Sequence, residues 1–174
     1  MKRILSGVLA LLILLLAITG CSPNNKLLSE EDFNVYRDGK LFMDINDVKN
    51  KSIYLDPDSE TFRGLKLNDT VTKVKELYGN ESTYIKVKET NCLEKMSVAE
   101  FIRIVTDDNY QIQFEKIYID GKLYDLKQAA EFPAGTKYMC KMLSIRVNGA
   151  YVSEIRLDYG QFTLTEEAKK SFAN

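Results

Sequence analysis

The chain has 174 residues, with 24 basic against 25 acidic side chains and neither histidine nor tryptophan. The missing histidine excludes His-based triads and dyads, His-ligated zinc or haem, and histidine pH switches, and the missing tryptophan excludes a Trp-lined sugar platform. The near balance of charge gives nucleic acid nothing to bind.

Met1-Lys2-Arg3 is a basic start, and Ile4 to Ile18 is an apolar run broken only by Ser6 and Gly7. A run of about fifteen residues falls short of the roughly twenty that a membrane-spanning helix needs, and its flanks are those of a secretory signal. It ends in Ile18-Thr19-Gly20-Cys21. This tetrapeptide resembles the bacterial lipobox: a branched apolar residue, two small residues, then cysteine. The resemblance implies that the Cys21 sulfur receives a diacylglyceryl group, that the lipoprotein signal peptidase cuts between Gly20 and Cys21, and that the new amino terminus is acylated. One acyl chain holds a protein only marginally, whereas two or three, at about 0.8 kcal/mol per buried CH2, anchor it firmly. The competing reading is a signal anchor that happens to contain a cysteine. On the lipobox reading the protein belongs to the cell membrane, on its extracytoplasmic face. Ser22 is not the aspartate that marks inner-membrane retention, so an outer membrane stays open as a destination if the host has one.

Residues 1–20 are thus expected to be a signal peptide. Residues 21–30 would be the lipidated cysteine and a polar tether containing Ser22-Pro23-Asn24-Asn25-Lys26, and residues 31–174 one α+β domain. The folded part should begin near Leu28 or Phe33. Cleavage leaves 154 of the 174 residues, enough for one real core, and takes Lys2 and Arg3 away, leaving 22 of the 24 basic residues against 25 acidic ones. With Cys21 lipidated, Cys92 and Cys140 remain. They are candidates for a disulfide closing a long loop, a link contributing about 2–4 kcal/mol. The alternative is two separate buried thiols acting as small hydrophobes.

Asp38-Gly39 joins two β-prone stretches, Phe33–Arg37 and Lys40–Met43. Such dipeptides tolerate positive φ at both central positions of a type I′ hairpin turn. The spacing of Val71, Val74, Leu77 and Tyr78 predicts an amphipathic helix, capped by Asn68 or Asp69 and stopped by Gly79. Ser97-Val98-Ala99-Glu100 reads as a capping box, and Val98, Phe101, Ile102 and Val105 follow at helical spacing. The β-formers from Phe101 to Val105 support a strand as the competing reading. A second hairpin, Gln111–Ile119 against Lys122–Tyr124, turns at Asp120-Gly121. Asp125 then caps a short helix through Phe132, ended by Pro133 and Gly135. The third hairpin sets Lys137–Val147 against Ala150–Tyr159 around Asn148-Gly149. Ile155 and Leu157 alternate there with Glu154, Arg156 and Asp158, giving one buried and one wet face. Thr165-Glu166-Glu167 opens a last short helix. Together these elements predict an α+β fold, an antiparallel sheet built from hairpins with two or three short helices packed on one face.

Thr61-Phe62-Arg63-Gly64-Leu65-Lys66-Leu67-Asn68-Asp69-Thr70, followed by Val71, Val74 and Tyr78-Gly79, is similar to the helical part of the SmpA/OmlA lipoproteins and related β-lactamase-inhibitor-like modules. The resemblance covers about twenty residues besides the lipobox. It implies two helices on a three- or four-stranded antiparallel sheet, and a domain that binds other proteins and is not an enzyme. The chain departs from the pattern after the helix, where Asn80-Glu81 stands in place of the usual Gly-x-Pro, so only the fold tendency is carried over.

Chemical motifs are sparse. Asp56-Pro57-Asp58-Ser59-Glu60 has the alternating oxygens of a calcium loop but lacks its glycine, where Thr61 stands, and its closing glutamate, where Leu67 stands; it reads as a solvated turn. No Walker loop or Gly-x-Gly-x-x-Gly is present, so no nucleotide is expected. Ser82 and Ser144 lack the surroundings of a nucleophile. Asp107-Asp108 is half of an acid–base pair at most. The sequence gives no catalytic residue, metal ligand or cofactor. Tyr110, Tyr118, Tyr124, Tyr138, Tyr151 and Tyr159 lie on predicted strands or beside turns. They would either form a binding face or cover the sheet edge and half-fill the core. The expectation is a lipid-anchored module that binds an envelope protein or wall component, with a carboxylate-dependent enzyme acting on wall or exported substrates as the alternative. Cys21→Ala is expected to give an unlipidated precursor that keeps its first twenty residues, read by labelled fatty-acid incorporation and intact mass. A labelled, cleaved variant would overturn the lipobox reading.

Overall fold

The computed structural model describes residues 28–48, 50–86, 95–105 and 109–173. In chain order these form β1 (Val35–Arg37), β2 (Lys40–Met43), β3 (Lys51–Tyr54), α1 (Val71–Tyr78), β4 (Ser82–Lys86), β5 (Lys95–Ser97), α2 (Val98–Ile104), β6 (Asn109–Ile119), β7 (Lys122–Tyr124), α3 (Leu126–Ala130), β8 (Lys137–Asn148), β9 (Tyr151–Thr163) and α4 (Glu166–Ala173). Short 3-10 turns occupy Glu31–Phe33 and Ile45–Val48.

The fold is α+β, with the antiparallel sheet built from hairpins that the turn dipeptides predict. Asp38 and Gly39 have φ of 49° and 71°, and Asp120 and Gly121 have φ of 50° and 74°, so the first two hairpins turn with positive φ at both positions. The third differs. Asn148 already pairs with Tyr151, so the loop is Gly149-Ala150, and only Gly149 has positive φ, at 60°. That is the pattern of a type II′ turn. The main sheet has seven strands in the order β3-β9-β8-β6-β4-β5, with β7 also on β6, while β1 and β2 form a separate ribbon. The resemblance implied three or four strands. Strands β3, β4 and β5 are short additions that local sequence does not announce.

Helix caps are set by short side chains just ahead of each apolar run. Thr70, not Asn68 or Asp69, caps α1, accepting from the Lys73 N–H at 3.3 Å. Asn68 instead takes a positive φ of 66°, and Asp69 accepts from the Lys66 N–H at 2.7 Å. Gly79 ends α1 with a helical φ of −55°, so it is not a left-handed stop. Its carbonyl accepts the Ala99 N–H at 3.0 Å, and an added Cβ would lie 2.3 Å from the Lys75 carbonyl oxygen. Ser97 caps α2 through the Glu100 N–H at 3.2 Å, which settles residues 98–104 as helix. Asp125 and Gln128 complete a reciprocal capping box on α3.

The sheet uses both faces. On β6, Tyr110, Ile112 and Phe114 point one way and join Leu143, Ile145, Val147, Val152, Ile155 and Leu157 beneath Val74, Tyr78, Val98 and Phe101 of α1 and α2. After Phe114 the buried positions change parity. Ile117 and Ile119 point the other way and pack with Leu126 and Ala129 of α3, Tyr138, and Phe172 of α4. Two helices therefore cover one face at one end of the sheet, and α3 and α4 cover the reverse face at the other end.

One ion cluster ties the chain start to this frame. Arg63 Nε meets Asp32 at 2.7 Å, its Nη2 meets Glu81 at 2.9 Å, and its Nη1 donates to the Leu77 carbonyl at 2.9 Å, with all three charged side chains almost fully buried. Removing one member of a buried pair strands the rest without compensation. Arg63→Met is therefore expected to lower stability by about 3–5 kcal/mol in urea denaturation, and an all-apolar triple replacement at Asp32, Arg63 and Glu81 to recover most of the loss.

Candidate functional site

The core helices stop short of the far end of β6, β8 and β9, and there the core-facing parity turns polar. Phe114 is followed on that face by Lys116 and Tyr118, and Leu143 is preceded by Lys141 and Met139. Lys116 and Lys141 are directly opposite each other, and Lys141 is opposite Tyr159. Like charges facing across an antiparallel pair repel. Lys141 is also only 6% exposed, so water compensates little of its charge. The Lys141 ammonium lies 5.6 Å from the Tyr118 ring centroid and 5.4 Å from that of Tyr159, a cation–π arrangement on two sides. Lys116 lies 5.7 Å from the Phe33 ring, which closes the core behind it.

The anion that this pair requires comes from the segment ahead of β1. Glu30 Oε1 accepts from Lys116 Nζ at 3.0 Å, and its Oε2 from Lys141 Nζ at 2.8 Å. The Tyr118 hydroxyl donates to the same carboxylate. Burial alone would raise the Glu30 carboxyl. The hydrogen bonds from Lys141, Tyr118 and Lys116 outweigh it and hold the group at about 2. Burial, then the Glu30 charge, push the Tyr118 phenol far above its ordinary range, which keeps it a donor. Leu28 already packs on the core and Glu30 bonds into the sheet.

Beside this cluster opens a groove of about 490 Å³, lined by Tyr118, Lys141, Tyr159, Met139, Gln161 and the Asp120-Gly121 turn, with Lys137 and Tyr138 at its side. The volume lies within the roughly 300–1,000 Å³ of ordinary ligand pockets.

The reverse face carries a smaller pocket of about 210 Å³, lined by Glu115, Ile117, Cys140, Met142 and Asp158 and roofed by Tyr138, Phe162 and Phe172. Burial, then the charges of Glu115 and Asp158, push the Cys140 thiol up to about 12, so it is not a thiolate at neutral pH. Burial also raises the Glu115 carboxyl. Asp158 accepts from Arg156 Nε at 2.8 Å and from the Ser52 hydroxyl.

The remaining sequence candidates scatter. Cys21, Gly20, Cys92, Asp107 and Asp108 lie outside the described residues, and with Cys92 so does the question of its pairing to Cys140. Asp56 accepts from Asp58 N–H at 3.1 Å and Ser59 Oγ at 2.7 Å, and pairs with Arg37 at 2.6 Å, so its oxygens serve the turn. Ser144 Oγ is buried on the reverse face with no partner among the described residues. The tyrosines divide. Tyr110 fills the core edge-on to Phe101, Tyr118 and Tyr159 flank Lys141, Tyr138 stacks on Phe162, and Tyr151 is exposed. The residues that sequence reasoning missed are Glu30, Lys116 and Lys141. The signal for the two lysines was their place at the apolar parity of β6 and β8, and Glu30 carried none. No family model, curated protein or solved structure matches the chain.

Glu30 is held below its ordinary 4.5, so its stabilising effect is complete above about pH 4.5 and is lost as pH falls toward 2. Melting curves of Glu30→Gln against the unaltered chain are expected to differ by up to about 1 kcal/mol at pH 6, a small gap because the carboxylate is half exposed and screened by solvent. The gap should close between pH 4.5 and 2. A gap independent of pH would remove Glu30 from the cluster.

Proposed function

We propose that this chain is a membrane-anchored module of the extracytoplasmic face that binds an acidic envelope component in the lysine–tyrosine groove. The observation that carries the reading is the facing pair Lys116 and Lys141, with Lys141 buried between two tyrosine rings at the wall of an open groove. Two cations set in fixed register form a fork for a carboxylate or phosphate. Tyr118 and Tyr159 add flat apolar area with few rotatable bonds, suited to the faces of sugar rings. The location rests on the lipobox-like Ile18-Thr19-Gly20-Cys21.

Binding suits this groove better than catalysis. Glu30 is held ionised at about 2, far from the range useful for proton transfer near neutral pH. Two further carboxyls, Glu115 and Asp158, line the pocket on the reverse face. There the pocket is about 210 Å³, and Asp158 is already engaged by Arg156 and Ser52.

The full chain in detergent micelles is expected to retain an acidic wall polysaccharide at least about tenfold more tightly than the same polymer with its acids reduced or removed, which is about 1.4 kcal/mol of selectivity. Lys116→Met with Lys141→Met, checked by circular dichroism, should abolish the difference. Equal retention of both polymers by the unaltered chain would sink the proposal.

A further inference from the structure

We propose that the Glu30 carboxylate is a built-in competitor for this groove, and that the oxyanion of a ligand, carboxylate or phosphate, replaces it between Lys116 and Lys141. The inference rests on the groove being the binding site.

Glu30 already has the form of the ligand group inferred above. It places one oxygen on each lysine, at 3.0 and 2.8 Å, and takes the Tyr118 hydroxyl as well. Yet its side chain is 50% exposed while those of the two lysines are 15% and 8% exposed. The donors belong to the sheet and cannot leave. The acceptor sits on a short segment at the surface and can rotate into water, where an ionised carboxylate is well solvated. The buried ammonium of Lys141 has no such escape, so an incoming anion is favoured over an empty site whenever Glu30 rotates away.

The backbone around Glu30 is held independently of its carboxylate. On the C-terminal side, Asp32 is gripped by Arg63 at 2.7 Å and accepts the Ser29 N–H at 2.8 Å. On the N-terminal side, the Leu28 N–H donates to Glu81 at 3.3 Å. Exchange therefore needs a rotamer change at residue 30 and no unfolding of the segment. A ligand competing with a resident group binds with its intrinsic affinity reduced by the fraction of time the site is open. If Glu30 holds the site about nine-tenths of the time, removing it should tighten binding about tenfold.

The test is calorimetric titration of the full chain in detergent with two separate probes, glucuronate and inorganic phosphate, and with glucose as the neutral control. Glu30→Gln and Glu30→Ala are each expected to bind one or both acidic probes about tenfold more tightly than the unaltered chain. Adding Lys141→Met to either variant should abolish the gain. Phosphate alone or glucuronate alone showing the gain would support the inference and name the ligand's acid. Binding of equal strength by the unaltered chain and both variants would overturn the competitor and leave the groove as a site. Absence of binding to either probe by every form, or binding of glucose as tight as that of glucuronate, would overturn the groove reading and this inference with it.

Discussion

The guanidinium of Arg63, fixed between Asp32 and Glu81 and capped by the Leu77 carbonyl, sets the relation between four otherwise separate parts of the chain. Asp32 belongs to the 3-10 turn ahead of β1, Arg63 to the loop before α1, Leu77 to the last turn of α1, and Glu81 to the entry of β4. Tyr78 lies under the guanidinium, 4.9 Å from ring centroid to Cζ, and hydrogen-bonds Thr61 at 2.9 Å. Such buried ion clusters are often no more stabilising than apolar residues of equal volume. What apolar replacements lack is direction. The fork of Arg63 donates to its carboxylates in one geometry only, and that geometry brings residues 28–33 across the sheet. The position of Glu30 over Lys116 and Lys141 is a consequence of this clamp two residues downstream.

The groove exists because the core ends before the sheet does. β8 and β9 run 12 and 13 residues, longer than the helices α1 and α2, of 8 and 7 residues, can cover. At about 1.5 Å per helical residue against 3.3 Å per strand residue, a helix of that size spans only about a quarter to a third of such a strand. The chain deals with the uncovered length in two ways. On the reverse face it switches the buried parity of β6 after Phe114, so that Ile117 and Ile119 carry a second, smaller core under α3 and α4. On the core face it substitutes polar side chains with apolar stems and rings, of which Tyr118, Lys141 and Tyr159 line a wet concavity and Lys116 faces Lys141 beside it. One stretch of sheet thus carries a second core on one side and an open groove on the other.

How much of this the sequence disclosed follows from the range of each interaction. The hairpins at Asp38-Gly39 and Asp120-Gly121 and the caps at Ser97 and Asp125 depend on residues no more than four apart, and each was legible. The cap at Thr70 was misplaced by one or two residues because Asn68-Asp69-Thr70 offers three capping side chains in a row. The third turn differs by one residue and in type, since register across β8 and β9 moves the loop to Gly149-Ala150. Strands β3 and β5 sit at sheet edges with three or four residues, too few to show a period. The site itself was invisible for a stronger reason. Lys116 faces Lys141 only once β6 and β8 are in register, and Glu30 reaches them from 86 and 111 residues away. Nothing local distinguishes such lysines from solvated ones, except that each falls where the alternation calls for an apolar residue.

That placement also bears on the anchor. If Cys21 carries lipid, eight residues separate it from Glu30. Fully extended, they reach about 30 Å. The groove would then be held within that distance of the bilayer surface, plus the few ångströms from Glu30 to the lysines. A module meant to search the outer wall would gain from a long tether entering on the side away from its site. Here the tether enters at the site and supplies one of its charges. On that reading the arrangement favours an acidic component presented near the membrane, and Glu30 would belong to the binding chemistry as well as to the attachment.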